Sequence, residues 1–220
     1  MKLTVTDLYD LDHTLAADYL RRFTYPWEAL DGIGDLIRAL GETLSPEEYD
    51  HPGDGVWIAR DATVYPTATI LPPCVIGHGA EVRPGAFIRG NALVGDNCVV
   101  GNSTELKNVI LFDSVQVPHY NYVGDSVLGY KSHMGAGSIT SNVKSDKTPV
   151  VIHNEGEDLP TGRKKVGAML GDRVEIGCNS VLNPGSVIGR DSSVYPTSCV
   201  RGTIPANSIW KFGGVIAPKA

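Results

Sequence analysis

Aliphatic residues recur every six positions along most of the chain. The first series is Ile58, Val64, Ile70, Ile76, Val82, Ile88, Val94, Val100 and Leu106. A second series near the C-terminus is Leu170, Ile176, Leu182, Ile188, Val194 and Val200. Helices repeat near 3.6 residues and strands near 2, so a sustained period of six predicts a solenoid of short strands and corners.

Most hexads have a small or short residue four or five positions after the aliphatic residue, as at Ala62, Ala68 and Cys74. The aliphatic side chain points inward, the small residue allows the corner, and three hexads close one coil. These hexads resemble those of left-handed parallel β-helix proteins, and the handedness is implied by that resemblance alone. We therefore predict an all-β solenoid, a left-handed parallel β-helix of hexapeptide repeats. A β-sandwich, the alternative, would space its strands less regularly.

The chain divides where the hexads begin. Residues 1–52 lack the repeat and predict a small helical segment, with an amphipathic helix over Pro26–Leu40. We expect this segment to cap the open N-terminal end of the solenoid, because terminal coils expose their core. Residues 53–220 form the predicted β-helix domain. The hexads stop at about 141–166, which predicts an inserted arm.

Composition narrows the function classes. The net charge is −6 with no Lys/Arg-rich run, which argues against a nucleic-acid partner. No apolar stretch reaches membrane-spanning length and no signal-peptide core is present, so we expect a cytoplasmic protein without membrane contact. The four cysteines form no CxxC pair, and Cys74 and Cys98 occupy small inward positions. We expect buried reduced thiols there and no metal.

The segment from Leu106 to Asn142 departs from the repeat. The steps from Leu106 to Leu111 and from Val123 to Leu128 are five residues instead of six. Polar and aromatic residues are concentrated in this segment: Lys107, His119, Tyr120, Asn121, Tyr122, His133 and Asn142. Local departures from a consistent pattern are where functional residues are expected.

Three blocks in this segment follow one family's pattern in order: 105–107 (ELK), 119–126 (HYNYVGDS) and 134–142 (MGAGSITSN). They resemble the acetyltransferase domain of bifunctional sugar-1-phosphate uridyltransferase/glucosamine-1-phosphate acetyltransferases. The archaeal-type sugar-1-phosphate nucleotidylyltransferase/acetyltransferases are more similar still, since they share the run from Pro118 to Ser126. The resemblance covers roughly residues 56–205.

The resemblance implies roles for individual residues. His119 corresponds to the general base, which suits a step that must deprotonate an amine near neutral pH. Lys107 and Tyr122 correspond to residues that hold the sugar phosphate, and Asn142 to one near the amine and acetyl group. Ala136, followed by Gly137, corresponds to a main-chain contact at the acyl carbonyl, where an N–H could stabilise an oxyanion. The structural alternatives are a backbone-bonded corner histidine and ordinary solvated or core-edge side chains.

Two arginines compete for the phosphate. The family's Arg-Pro-Gly-Ala string is present at Arg83, but Arg83 lies 24 residues before Lys107 and so on another face. Arg89 lies 18 residues before Lys107 and should stack one coil away from it. We therefore expect Arg89 to bind the phosphate, with Arg83 as the second candidate.

The function implied is acetyl-CoA-dependent N-acetylation of an amino-sugar 1-phosphate by a homotrimer with sites between subunits. His133 and Val143 depart from the family's acceptor-side residues. The acceptor could therefore be glucosamine 1-phosphate, galactosamine 1-phosphate or the 1-phosphate of another amino sugar. The 163–165 run (RKK) is a candidate for the adenosine end of CoA. Three alternatives remain: an acyltransferase with a different acceptor, a non-catalytic trimeric scaffold, and a γ-type carbonic anhydrase, whose close histidine pair this sequence lacks.

Overall fold

Short parallel strands form a three-faced solenoid in the computed structural model, which describes residues 1–219. The predicted left-handed parallel β-helix is confirmed. The hexad aliphatic residues fill its interior, where Ile76, Val82 and Ile88 are fully buried. We name the faces A, B and C in the order in which the chain visits them.

Each face stacks one strand per coil. Face A consists of Val56–Ala59, Cys74–Ile76, Ala92–Val94, the second halves of Glu105–Leu111 and Tyr122–Leu128, Ala168–Leu170, Ser186–Ile188 and Thr203–Ile204. Face B consists of Thr63–Val64, Glu81–Val82, Val99–Asn102, Gln116–His119, His133–Met134, Glu175–Ile176, Ser193–Val194 and Ser208–Lys211. Face C consists of Thr69–Ile70, Phe87–Ile88, the first halves of the two long strands, Ile139–Thr140, Val181–Leu182 and Cys199–Val200.

The two five-residue steps have a structural consequence at the corner between faces C and A. Leu106 pairs with Ile88 at a separation of 18 residues, whereas Val109 pairs with Ala92 at a separation of 17. Because the corner has one residue fewer here, Glu105–Leu111 continues around it as a single strand. Tyr122–Leu128 is also a single strand around this corner and pairs with Glu105–Leu111 along its length. The shortened corner is where most of the predicted substrate-binding residues lie.

The N-terminal segment lies along the side of the solenoid. It contains helices Val5–Leu8, Ala17–Leu20 and Ile33–Gly41 and 3₁₀ turns Leu11–His13 and Pro26–Gly32. The single helix predicted over Pro26–Leu40 is thus divided at Gly32. The Tyr9 hydroxyl donates a hydrogen bond to the Val127 carbonyl on face A, and the Asp172 N–H donates to the Leu8 carbonyl.

Of this segment, only Tyr49–Gly53 lies at the open end that we expected it to cover, where it pairs with the first strand, Val56–Ala59. Helix Ile33–Gly41 packs instead on the outward side of face A. The stacked residues on this side are apolar and buried rather than polar: Trp57, Val75, Leu93, Ile110, Val127, Met169 and Val187. Burying this row removes apolar area from water, which stabilises the packing of the N-terminal segment on face A. Ile33–Gly41 packs across the neighbouring strands of face A.

Within residues 1–219, strands form antiparallel pairs at three places. Tyr49–Gly53 pairs with Val56–Ala59, and Val215–Pro218 pairs with Ser208–Lys211 at the far end. Within the arm, Val151–Asn154 and Glu157–Pro160 form a hairpin. The coils resume in register after the arm, since Val127 pairs with Met169. Over residues 1–219, none of the helices has the length and apolar character needed to cross a membrane.

Candidate functional site

A buried carboxylate organises the corner between faces C and A. Asp125 has a side chain only 5% exposed, and its Oδ1 accepts hydrogen bonds from Lys107 Nζ at 3.0 Å and from Asn108 Nδ2 at 3.0 Å. Its Oδ2 accepts from Asn142 Nδ2 at 2.5 Å. Asn108 and Asp125 both have positive φ, +56° and +48°, which asparagine and aspartate tolerate better than other non-glycine residues. The shortened corner therefore directs several polar side chains to one carboxylate.

Tyr122 lies next to this cluster on face C. Its hydroxyl accepts a hydrogen bond from Asn142 Nδ2 at 3.2 Å. Burial and, to a lesser degree, the carboxylates of Asp125 and Glu105 raise the pKa of Tyr122, while its hydrogen bond with Asn142 opposes them. The phenol is therefore protonated at neutral pH and can donate to an anion.

The stacking predicted for the two arginines is confirmed. The Arg89 N–H donates to the Leu106 carbonyl, which places Arg89 beside Lys107 in the neighbouring coil, and its guanidinium pairs with Glu105 at 2.6 Å. Arg83 instead follows the Glu81–Val82 strand of face B and pairs with Glu81 at 2.9 Å. Arg89, Lys107, Tyr122 and Asn142 thus form one group, which does not include Arg83.

His119 lies at the other end of face C, at the corner with face B. Its side chain is exposed, its N–H donates to Asn121 Oδ1 at 3.1 Å and its carbonyl accepts from the Gly137 N–H at 3.0 Å. The buried Asn121 also donates to the carbonyls of Gly135 at 2.9 Å and Ser138 at 3.1 Å. Asn121 therefore ties the His119 turn to the turn of the next coil.

Ala136 and Gly137 occupy that next turn. The Ala136 carbonyl accepts from the Asn179 N–H at 2.8 Å, whereas no group within residues 1–219 accepts a hydrogen bond from the Ala136 N–H. Gly137 has φ of +70°, and a Cβ there would lie 2.3 Å from Asn179 Oδ1, so a larger residue would be strained and would displace the Asn179 side chain. The turn can present a main-chain donor close to His119.

The predicted site residues therefore form two groups at opposite ends of face C. The first surrounds Asp125, and the second consists of His119, Ala136 and Gly137. Lys107 pairs with Gly124, which lies five residues beyond His119 and hence at most about 17 Å along the chain. A ligand that contacts both groups must lie along face C, over Tyr122.

A cavity of about 460 Å³ adjoins the first group. Its walls come from three parts of the chain: Lys107, Asn108 and Asp125 of the corner, Leu30 and Asp31 of the N-terminal segment, and residues 162–165 of the arm. The sequence made residues 163–165 a candidate for binding the adenosine end of CoA. In the structure these residues line the cavity next to Lys107, at the opposite end of face C from Ala136. The size is in the range of small-molecule sites.

In the carbonic anhydrase alternative, the zinc ligands would come from His78, His119, His133 and His153. Three of these histidines pair with separate carboxylates. His78 pairs with Asp61, His133 with Glu175 and His153 with Asp158. Within residues 1–219, no three His, Cys, Asp or Glu side chains are grouped as metal ligands.

Two organising residues were missed from sequence. Asp125 and Asn121 both stood inside the quoted blocks, yet neither was assigned a role. The sequence signal that could have identified them is a polar residue at a position that the repeat buries. A buried polar group needs hydrogen-bond partners, so such a residue is expected to organise its surroundings. Asp125 is 4% exposed and Asn121 is 2% exposed.

Two archaeal relatives support the resemblance inferred from the motifs. A bifunctional sugar-1-phosphate nucleotidylyltransferase/acetyltransferase of Sulfurisphaera tokodaii is 32% identical over 109 residues, 50% of this chain and 27% of that protein. The bifunctional protein GlmU of Methanococcus maripaludis (strain C5) is 34% identical over 106 residues, 48% of this chain and 26% of that protein. The matched part spans about a quarter of each relative.

Among solved structures, a mutant of perosamine N-acetyltransferase from Caulobacter crescentus, in complex with CoA and GDP-perosamine, matches with a TM-score of 0.44 at 19% identity. The match covers 71% of this chain and 56% of that one. The sequence profile described as the GMPPB C-terminal domain matches residues 70–208, more than half of the chain. The corner residues around Asp125, His119 and Ala136 all fall within that match, and the chain belongs to the GMPPB C-terminal domain family.

Proposed function

We propose that this protein is an acetyl-CoA-dependent N-acetyltransferase acting on a phosphorylated amino sugar. One observation carries the proposal: Arg89, Lys107, Tyr122 and Asn142 lie in successive coils at the corner that holds Asp125, and His119 lies at the opposite end of face C. The relatives' names, which include acetyltransferase and sugar-1-phosphate activities, support the same class.

In this proposal the acceptor lies along face C with its phosphate at the Lys107 end. Lys107 and Arg89 supply cationic donors and Tyr122 a hydroxyl donor, which suit a phosphate dianion. Both cations are paired with carboxylates, Lys107 with Asp125 and Arg89 with Glu105. These pairs hold the long side chains in place before the phosphate arrives, which lowers the entropic cost of binding.

The amine end then lies at His119. The amine nitrogen of the acceptor attacks the thioester carbonyl carbon while the His119 imidazole takes a proton from that amine. The Ala136 N–H donates a hydrogen bond to the oxyanion that develops on the carbonyl oxygen. When the carbon–sulfur bond breaks, the thiolate receives the proton from His119 and leaves as CoA. Gly137 has no Cβ and permits close approach of the thioester to this turn.

We further propose that the active unit is a homotrimer whose neighbouring copy encloses face C. Leu71 and Phe87 on this face are 42% and 37% exposed, an apolar surface that such an interface would bury. Sedimentation is expected to give three copies. A monomer with full activity would contradict this arrangement.

The first test is CoA release with acetyl-CoA and a panel of amino-sugar phosphates. Turnover is expected with at least one member, and His119→Ala should reduce kcat by on the order of 100-fold or more. Tyr120→Ala is the matched control, because Tyr120 is adjacent and 65% exposed. Acetyl-CoA binding without turnover would indicate a different acceptor. Absence of acetyl-CoA binding would favour the scaffold alternative.

A further inference from the structure

The inserted arm returns to the solenoid beside the proposed phosphate site. Within the arm, the Val150 N–H donates to the Arg163 carbonyl at 2.7 Å. Lys165 forms an isolated antiparallel β-bridge with Val143. The Val166 N–H donates to the Asn142 carbonyl at 3.0 Å. These main-chain contacts bring residues 163–165 to the corner between faces C and A.

Arg163 also connects the arm to the N-terminal segment. Its guanidinium forms an ion pair with Asp31, and its Nη2 donates to the Glu28 carbonyl at 3.1 Å. The side chain is only 18% exposed. On the same wall, Asn108 Nδ2 donates to the Leu30 carbonyl at 3.1 Å. The N-terminal segment and the arm are therefore joined to each other, and both line the cavity that Lys107 also lines.

The charges lining this cavity do not balance. Its cations are Lys107, Arg163, Lys164 and Lys165, whereas its carboxylates are Asp31 and Asp125. Arg163 pairs with Asp31 and Lys107 with Asp125, so each carboxylate already has one cation. Lys164 and Lys165 thus bring surplus positive charge to the cavity. Such a surplus favours an anionic ligand.

We propose that Lys164 and Lys165 form a second phosphate subsite next to Lys107, so that the site takes a diphosphate-linked acceptor in preference to a sugar monophosphate. This inference rests on the proposed function for the identity of the acceptor. A phosphoryl group at Lys107 and another at the two lysines would be neighbours within one cavity of about 460 Å³.

CoA also contains a diphosphate, and the position of the cavity favours the acceptor. The proposed thioester contacts, Ala136 and Gly137, belong to the corner between faces B and C, and face C separates them from Lys164. The cavity shares Lys107 with the proposed sugar-phosphate site.

The binding test uses inorganic pyrophosphate and orthophosphate as probes, measured by calorimetry on the full chain. The wild type should bind pyrophosphate at least about tenfold more tightly than phosphate, since each charge-assisted hydrogen bond adds affinity. The double variant Lys164→Gln/Lys165→Gln should lose that preference. The double variant Lys131→Gln/Lys219→Gln, the same charge change at two exposed lysines elsewhere, should keep it. A preference that survives in the double variant would overturn the subsite.

The kinetic test separates the acceptor from CoA and from failure of the proposed function. The double variant should raise KM for a nucleotide-diphosphate amino sugar about tenfold, with KM for acetyl-CoA unchanged. A raised KM for acetyl-CoA alone would overturn the assignment to the acceptor. Lysine-dependent pyrophosphate binding in a protein without acetyltransferase turnover would support the subsite and reject the proposed function.

Discussion

Lys107 Nζ lies 3.0 Å from Oδ1 of the buried Asp125, across two neighbouring coils. The pair orders the lysine, and Asn108 and Asn142 complete the coordination of the same carboxylate. We therefore expect Asp125 to act as a positioning residue for the proposed phosphate site.

Asp125→Ala should lower the free energy of unfolding by about 3 kcal/mol, because it leaves three donors without their acceptor. It should also raise KM for the acceptor while leaving KM for acetyl-CoA nearly unchanged. Urea unfolding and steady-state kinetics measure the two effects. Asp54→Ala, at an exposed aspartate in the turn between Tyr49–Gly53 and Val56–Ala59, is the control and should change neither quantity.

Arg89→Ala should raise KM for the acceptor by about tenfold, whereas Arg83→Ala should change it less than about twofold. The reason is that Arg89 lies beside Lys107, and Arg83 lies on face B with Glu81. Both ion pairs are partly exposed and should contribute little to stability, so the melting temperatures should be similar. The opposite order of KM effects would assign the phosphate to Arg83.

The four cysteines should differ sharply in reactivity. Burial raises the pKa of Cys74 to about 12 and also raises the pKa of Cys98, so both remain protonated thiols at pH 8. Cys178 and Cys199 are exposed. A thiol reagent should therefore modify these two in the native protein and all four in denaturant. Rapid modification of four native thiols would contradict the described core.

Acetyl-CoA should protect Cys178 from modification more than Cys199. The Cys178 Sγ lies close to the Gly135–Gly137 turn, where a Cβ at Gly135 would be 3.0 Å from it. Cys199 instead lies on face C, where it pairs with Val181 of the neighbouring coil. Mass spectrometry of the labelled peptides, with and without acetyl-CoA, measures the difference. Equal protection of both cysteines would place the thioester elsewhere.

Leu93→Ala should lower the free energy of unfolding by about 2–4 kcal/mol and expose residues 1–52 to protease. Leu93 is 1% exposed, in the apolar row of face A that the N-terminal segment covers. Leu15→Ala is the control, since Leu15 is 44% exposed and should change stability by less than about 0.5 kcal/mol. Similar losses in both variants would argue against this packing.

The order of the hexads was sufficient to predict the solenoid, because a period of six constrains every coil in the same way. The stacking of Arg89 beside Lys107 followed from the same arithmetic, since paired strands place residues 18 apart next to each other. The two five-residue steps also marked the corner that proved to hold Asp125. What periodicity determines is local and repeats with every coil.

The position of the N-terminal segment and the composition of the cavity depended on the tertiary structure. Val75, Leu93 and Ile110 stand directly before hexad aliphatic residues, but only the stacked strands show that they form one apolar row that needs a cover. Likewise, Asp31, Lys107 and Lys164 are far apart in sequence and meet because the segment and the arm pack at one corner. Contacts between non-repeating segments depend on which surfaces remain to be buried, and that is a property of the folded solenoid.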